Sequence, residues 1–185
     1  MADKNIDDKI ISLLRQQSTA NEGFSLLMRT YGDKIYWHIR RIVVSHDDAE
    51  DVLQETSINI FRHFPKFKGE SALSTWIYRI ATNEAIRWLQ RQAGLFRSVD
   101  ALGLELADRI TAENGIDAHS VEVLFQKALL TLPTQQRIAF NMRYYDELSY
   151  EEIAKVTGKN VNTLKANYHF AVDKIKNYIK ENSLL

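Results

Sequence analysis

Helical periodicity runs through most of the chain, and few residues that break helices interrupt it. Only two prolines and seven glycines occur among the 185 residues. Apolar side chains recur at spacings of three and four, as in helices with one buried face, and no segment alternates convincingly as a strand. One long stripe shows this most clearly, comprising Phe24, Leu27, Met28, Tyr31, Ile35, Ile39 and Ile42. The sequence therefore predicts an all-α fold.

The helical pattern weakens over residues 94–120, where three glycines and scattered acidic residues occur. A structureless loop of this length is uncommon inside a compact domain. A linker between two small helical domains is therefore favoured over a surface loop within one domain. This interpretation places a first domain at residues 1–93, an acidic linker at 94–120 and a second domain at 121–185.

The composition argues against several kinds of site. The chain has no cysteine, which excludes disulfides and thiolate metal sites. Its five histidines are scattered without metal-ligand spacing, and the carboxylates of Asp47 and Asp48 have no nucleophile or phosphate-binding loop beside them. We therefore expect no metal, no cofactor and no enzymatic activity. No apolar run approaches the roughly 18 residues of a membrane span, and no secretory signal is visible, so the cytoplasm is the expected location.

The formal net charge of zero is the sum of opposed patches. Residues 62–97 hold seven Lys or Arg against two acidic residues, and residues 155–180 hold six Lys against one Asp. Residues 47–55 hold five acidic residues and no basic one, and residues 98–122 hold six against one Arg. A binding partner experiences the field near each patch, so neutrality does not argue against a nucleic-acid partner.

The C-terminal part carries the signals of a helix-turn-helix. Ser149 and Glu152 have the spacing of a capping box, Gly158 can end that helix in the left-handed conformation, and Asn160 can cap the next one. The second helix has an apolar stripe of Val161, Leu164, Tyr168, Ala171 and Ile175. A short helix, a turn with glycine and a second amphipathic helix define this motif. The alternative is an ordinary helical hairpin with a solvated polar face.

The opposite face of that second helix is the candidate DNA-reading surface. In a helix-turn-helix, residues near the start of the second helix contact base edges in the major groove. Lys165 can address a guanine or a phosphate, and Phe170 or Ala166 can contact a thymine methyl group. The candidate residues are Asn162, Thr163, Lys165, Ala166, His169 and Phe170.

Aromatic and basic residues are interleaved in the N-terminal half. Phe67, Trp76, Tyr78 and Trp88 alternate with Arg79, Arg87 and Arg91, and Ser74 is a candidate N-cap of their helix. Single-stranded nucleic acid is held by aromatic rings that stack bases and by cations that neutralise phosphates. Trp76 also lies on the apolar stripe of this helix, so packing in the core is the competing interpretation of its ring.

An acidic helix precedes this segment. Asp51, Gln54, Glu55 and Ile58 share one face, opposite the stripe that contains Val52. An exposed face with carboxylates, an amide and one aliphatic side chain is typical of a protein-docking surface. Complementing the helix dipole explains acidic residues in the first turn, but it explains Gln54 and Ile58 less well.

Several of these motifs together resemble bacterial sigma factors of the extracytoplasmic-function (group IV) class, which keep only sigma regions 2 and 4. The resemblance covers about residues 20–92 and 121–181, in the family's order and spacing. The matching segments are DAEDVLQE from Asp48, FKGES from Phe67, TWIYRIATN from Thr75, Leu132-Pro133 and LSYEEIA from Leu148.

The resemblance implies a transcription initiation factor that directs core RNA polymerase to promoter DNA and helps to separate the strands. It implies that Asp51, Gln54, Glu55 and Ile58 dock on the clamp helices of the polymerase β′ subunit, with the β flap as a second contact. It implies that residues of the loop and of the following helix read and open the −10 element: Lys68, Ser71, Trp76, Arg79, Asn83 and Arg87. The C-terminal reading face would then read the −35 element, and an anti-sigma factor is an expected partner.

One departure from the family concerns the reading helix, and one alternative concerns the protein class. The family's reading helix often carries two or three arginines, whereas the matching positions here are Asn167, Phe170 and Val172. The alternative function is a stand-alone helix-turn-helix regulator that binds duplex operators without polymerase.

Overall fold

A computed structural model describes residues 4–93 and 121–182, and these residues form eight α-helices with no strand between them. This confirms the predicted all-α fold. The chain divides into two compact units, Met1–Ile86 and Arg87–Leu185. The predicted linker at residues 94–120 lies outside the described residues, and the domain limits at 93 and 121 stay predictions.

Four helices precede the predicted linker. They are α1 (Lys4–Leu14), α2 (Ala20–Val43), α3 (His46–His63) and α4 (Leu73–Ala93), and a 3-10 turn (Phe64–Lys66) follows α3. Their apolar stripes supply the buried side chains of the first unit, including Leu27, Ile35, Ile39, Val52, Ile60 and Ile77. The side chain of Ser45 caps α3 by accepting a hydrogen bond from the backbone N–H of Asp48 at 3.4 Å.

Four more helices follow it. They are α5 (Val121–Leu130), α6 (Thr134–Tyr144), α7 (Tyr150–Thr157) and α8 (Val161–Asn182). Helices α5, α6 and α8 share a core of Ala128, Leu129, Leu132, Phe140, Ala171 and Ile175. The rings of Phe140 and Tyr168 stack with their centroids 5.5 Å apart and their planes 11° apart. This stack fixes α8 against α6 and leaves the opposite side of α8 in solvent.

One helix end differs from the predicted one. Helix α4 begins at Leu73, so Ser74 lies inside the first turn and the prediction that it is the N-cap is wrong. Pro133 is the residue that precedes α6. Helix α3 ends at His63, where Pro65 in the following 3-10 turn cannot supply the backbone N–H that an α-helix needs. None of the described helices is long and apolar enough to cross a membrane.

Helix α2 approaches the end of α1 closely at Gly23. A Cβ atom at this position would lie 2.8 Å from the backbone nitrogen of Leu14 and 2.9 Å from the Cβ of Leu13. Backbone atoms cannot move aside as a flexible side chain does. Gly23 is therefore required by packing, since only a residue without a side chain fits there.

Replacing Gly23 with alanine is expected to lower the free energy of unfolding by about 1–3 kcal/mol, the usual cost of overpacking a core. Gly32→Ala is the matched control, because it lies on the same helix and a Cβ there meets only Met28 Cε at 3.7 Å. It should instead stabilise the protein by roughly 0.5–1 kcal/mol, through the helix propensity of alanine. Urea unfolding followed by tryptophan fluorescence measures both, and equal effects of the two substitutions would contradict the packing argument.

Candidate nucleic-acid and protein interfaces

The predicted helix-turn-helix is formed by α7, a short turn and α8. The Ser149 hydroxyl accepts a hydrogen bond from the Glu152 backbone N–H at 3.2 Å, and the Glu152 carboxylate accepts one from the Ser149 backbone N–H at 2.8 Å. Gly158 ends α7 in the left-handed conformation with φ of +70°, and the Asn160 side chain accepts from the Thr163 backbone N–H at 2.8 Å. The capping box and both turn residues are confirmed.

The capping box also favours the ionised form of the Glu152 carboxyl group. The backbone N–H and then the hydroxyl of Ser149 donate hydrogen bonds to Glu152, and together they hold the pKa of that carboxyl below its ordinary value. The negative charge therefore persists at the N-terminus of α7, where it interacts favourably with the helix dipole. The hydrogen bonds and this charge together stabilise the start of α7.

All six predicted residues of the reading face are exposed on α8. These residues are Asn162, Thr163, Lys165, Ala166, His169 and Phe170, and the Phe170 side chain is 53% exposed. Leu164, Ala171 and Ile175 are buried on the other side. The predicted division of α8 into a buried stripe and an open polar face is confirmed, whereas the contacts of that face with DNA stay predictions.

A cluster of cations and one aromatic ring lies beside this reading face, and the sequence analysis did not identify it. The Lys165 ammonium lies 5.8 Å from the centroid of the Tyr150 ring, and the Arg143 guanidinium lies 5.5 Å from the same centroid. Arg143 also donates a hydrogen bond to the Leu148 backbone carbonyl at 3.1 Å. Helices α6 and α8 thus bring two positive charges to one ring on α7, and the basic last turn of α6 was the signal for it in the sequence.

His169 has a neighbour on its own helix. Its Nε2 lies 3.3 Å from a carboxylate oxygen of Asp173, one turn further along, and both side chains are largely exposed. An exposed pair of this kind contributes little stability. The pairing leaves the ring on the open side of α8, next to Phe170, with ring centroids 6.2 Å apart.

The predicted −10 residues lie on a loop and on one edge of α4. Arg79, Asn83 and Arg87 are exposed at successive spacings of four residues, so they form one row along the helix. The loop that precedes α4 lies between buried Phe67 and buried Leu73. These two buried anchors hold the short loop next to the first turn of the helix.

Within this loop, Lys68 is exposed and Ser71 is half-buried. Gly69 has φ of +77°, and a side chain there would meet no neighbouring atom within 4 Å. Conformation, and not lack of space, therefore favours glycine at this position. The loop presents small and polar groups to open space beside α4.

The structure corrects the predicted stacking platform of aromatic rings. Phe67, Tyr78 and Trp88 are buried, with 8%, 6% and 8% of their surface exposed. Trp76 is half-buried, with its ring 5.2 Å from that of Phe67. The prediction that Phe67, Tyr78 and Trp88 offer open faces to bases is wrong, because aromatic rings at helical spacing are drawn into the core by the apolar area that they bury.

The predicted protein-docking face on α3 is in solvent. Asp51, Gln54 and Glu55 are exposed, and Ile58 is 50% exposed. Ala49, Val52, Thr56 and Ile60 are buried on the opposite side of the helix. Phe61, one turn beyond Ile58, is 44% exposed and contacts the ring of Phe24 edge to face at 5.3 Å. The face therefore joins carboxylates to a small apolar patch.

No group of three or more histidine, aspartate or glutamate side chains that could hold a metal ion occurs within residues 4–93 or 121–182. The exposed polar faces on α3, α4 and α8 are the candidate functional surfaces of the described chain.

Two family profiles match the chain. Residues 27–94 match the family described as Sigma-70 region 2, and residues 122–175 match Sigma-70, region 4. The first match includes the candidate faces on α3 and α4, and the second includes the helix-turn-helix.

Full-length relatives show the same relationship. The chain is 32% identical over 189 residues to the ECF RNA polymerase sigma-E factor of Haemophilus influenzae. The alignment covers 97% of this chain and 98% of that protein. It is 33% identical over 175 residues to the ECF RNA polymerase sigma-E factor of Escherichia coli K12, over 90% of this chain and 91% of that one.

Solved structures share the fold. CnrH, in its complex with the cytosolic domain of CnrY, superposes with a TM-score of 0.70 at 21% identity, over 96% of this chain and 99% of that one. The sigma factor RpoE of Bartonella quintana, in complex with the anti-sigma factor NepR, gives 0.64 at 21% identity, over 85% and 96%. The paired regions and the full-length relatives show that this chain belongs to the extracytoplasmic-function family of RNA polymerase sigma factors.

Proposed function

We propose that this sigma factor uses its three exposed faces for three separate tasks in transcription initiation. The protein is a sigma factor that partners core RNA polymerase and promoter DNA, and what remains is which residues perform each task. The observation that supports this proposal most directly is that the predicted polar residues on α3, α4 and α8 lie in solvent, while the apolar stripes of the same helices are buried. We assign it no catalytic chemistry of its own and place it in the cytoplasm, where polymerase acts.

The face on α3 is assigned to polymerase docking. Gln54, Glu55 and Ile58 combine an amide, a carboxylate and an aliphatic side chain within about one turn. A basic surface on the partner would pair with the carboxylates, and Ile58 would bury its apolar area at the centre of the contact. We assign this surface to the clamp helices of the β′ subunit, and a contact of the second domain to the β flap.

The row on α4 and the loop before it are assigned to the −10 element. Arg79 and Arg87 supply charge that attracts phosphates, and the Asn83 amide can both donate to and accept from a base edge. The loop of residues 68–72 lies at the start of the same helix. The energy for strand opening comes from replacing base stacking by contacts with this surface.

The open face of α8 is assigned to the −35 element. Lys165 belongs to the group of cations around Tyr150, and Asn162 and Thr163 occupy the first turn of the helix. This geometry allows α8 to enter the major groove with its N-terminal end foremost. An anti-sigma factor is a further proposed partner, by analogy with the complexes of the two structural relatives.

Run-off transcription with core polymerase over a randomised promoter library tests the whole assignment, because it returns the base preference at −35 and −10 together. A second candidate, a stand-alone regulator, is favoured by the helix-turn-helix alone. Band-shift assays separate the two, since a sigma factor binds promoters strongly only after polymerase joins. Tight, specific binding by the free chain would contradict the sigma assignment.

Replacing Lys165 with alanine is expected to reduce transcription from promoters that need a −35 element by at least about fivefold, since one side-chain contact to DNA contributes roughly 1–3 kcal/mol. Lys174→Ala is the matched control, because Lys174 is also exposed on α8 but lies nine residues beyond Lys165, about 13 Å further along the helix and half a turn around it. Run-off transcription at fixed salt measures both. Equal losses would mean that charge alone, and not the open face, carries the effect.

A further inference from the structure

Two polar contacts, one buried and one partly buried, involve the residues on either side of Asn83 on α4. The neighbours of Asn83 are Thr82 and Glu84, which are only 1% and 5% exposed, whereas Asn83 itself is exposed. The Thr82 hydroxyl lies 2.9 Å from Nε2 of His38, a fully buried residue of α2. The Glu84 carboxylate accepts a hydrogen bond from the Asn59 side chain of α3 at 3.0 Å. Two different helices therefore hold the residues on either side of the proposed reading residue.

The contact at Thr82 is directional. Its hydroxyl has a single proton, which it donates to the Tyr78 backbone carbonyl at 2.7 Å. The bond with His38 must then use a lone pair of the hydroxyl oxygen, so the ring Nε2–H is the donor. The His38 ring also meets the Tyr78 ring edge to face, with centroids 5.0 Å apart. The imidazole of His38 therefore contacts both Tyr78 and Thr82, which lie one turn apart on α4.

Hydrogen bonds of this kind restrict a motion that apolar packing alone permits, which is the rotation of α4 about its own axis. An apolar stripe tolerates small rotations of a helix about its axis, because dispersion contacts have little angular dependence, whereas a hydrogen bond prefers a narrow range of distances and weakens steeply once its angle falls below about 120°. A rotation of about 20° would move an amide at the tip of an asparagine side chain by roughly 2 Å, given the radius of a helix. That shift is enough to break a hydrogen bond to a base edge.

We propose that the His38–Thr82 and Asn59–Glu84 contacts are positioning contacts that fix the rotation of α4 and thereby set the base preference of Asn83. His38, Asn59, Thr82 and Glu84 do not touch DNA in this arrangement. They act through Asn83, and their effect is on selection among −10 bases more than on total affinity. The inference rests on the proposed function, in which Asn83 reads the −10 element.

A purely structural role makes a different prediction, which a paired substitution distinguishes. Thr82→Val keeps the shape of the side chain but leaves the His38 N–H unpaired in the core, which costs stability. The double variant His38→Phe with Thr82→Val removes both partners and keeps an aromatic ring against Tyr78. Removal of both groups of this hydrogen bond by apolar groups of similar shape costs less stability than an unpaired N–H in the core, so this variant is expected to fold while lacking the directional contact.

The experiment is run-off transcription by the reconstituted holoenzyme on promoters that differ only at single −10 bases. The ratio of transcription from the preferred and the changed promoters is expected to fall by about fivefold in the double variant, the equivalent of about one lost hydrogen bond. Thr82→Ser, which keeps the hydroxyl, should retain the ratio. The proposal is overturned if the double variant has the same free energy of unfolding as the wild type and keeps the full transcription ratio.

Further variants separate this inference from the proposed function. Asn83→Ala should lower the same ratio, and if it does not, the assignment of Asn83 to the −10 element and the positioning proposal are both overturned. If Asn83→Ala lowers the ratio but neither the double variant nor Glu84→Met does, only the positioning proposal is overturned. Glu84→Gln keeps an acceptor for Asn59 and should retain the ratio, so the second contact provides a test even if the double variant does not fold. Circular dichroism and tryptophan emission establish folding in each case.

Discussion

The double substitution Gln54→Ala with Glu55→Ala is expected to lower the affinity for core RNA polymerase by roughly 30-fold, while the helical content stays unchanged. The physical reason is that both side chains are exposed on α3, so the folded chain loses nothing in its core. In the complex they would lie near the centre of the contact, where truncation of a critical side chain costs about 2 kcal/mol or more. A pull-down or a titration with core polymerase measures the change directly.

A matched control exists on α2. Asn21 and Glu22 are also a consecutive amide and carboxylate, and both are exposed in the first turn of that helix. Asn21→Ala with Glu22→Ala removes the same chemical groups and the same charge from another surface. It should leave polymerase binding unchanged. Equal losses in the two double variants, or no loss in the α3 variant, would remove α3 from the docking surface.

Exchange of the loop at residues 68–72 for glycine and serine, with Gly69 kept, is expected to abolish base preference at one −10 position. Well-made contacts to a base discriminate by about 1–3 kcal/mol, so a preference of between fivefold and about a hundredfold should fall towards one. The anchors Phe67 and Leu73 remain buried and the helix still begins in place. Run-off transcription over promoters with each −10 base varied measures the preference.

The same exchange in the turn at residues 16–18, between α1 and α2, is the control for added flexibility in a loop of the first unit. That turn is exposed and has no proposed role in DNA reading. Polymerase binding should be unaffected by either exchange. An unchanged −10 preference in the loop variant would show that recognition rests on α4 alone.

The helix-turn-helix could be predicted almost completely from sequence, and the aromatic segment of α4 could not. Ser149, Gly158 and Asn160 act on backbone groups within three or four residues of themselves, so a short stretch of chain contains all of the relevant physics. Tyr78 and Trp88 were predicted to be open platforms, yet both are buried. Their exposure depends on what packs around them, and no local pattern states which of two plausible faces an aromatic ring occupies.

Local sequence by itself determined the positions of the helices, the caps of the helix-turn-helix and the separation of polar from apolar faces on α3 and α8, because hydrogen bonding within a helix and its hydrophobic periodicity are properties of neighbouring residues. Only the tertiary structure decided that His38 meets Thr82 and that Asn59 meets Glu84, across 44 and 25 residues of chain. These pairs depend on how three helices pack, and a buried polar group finds its partner only when packing brings the two together.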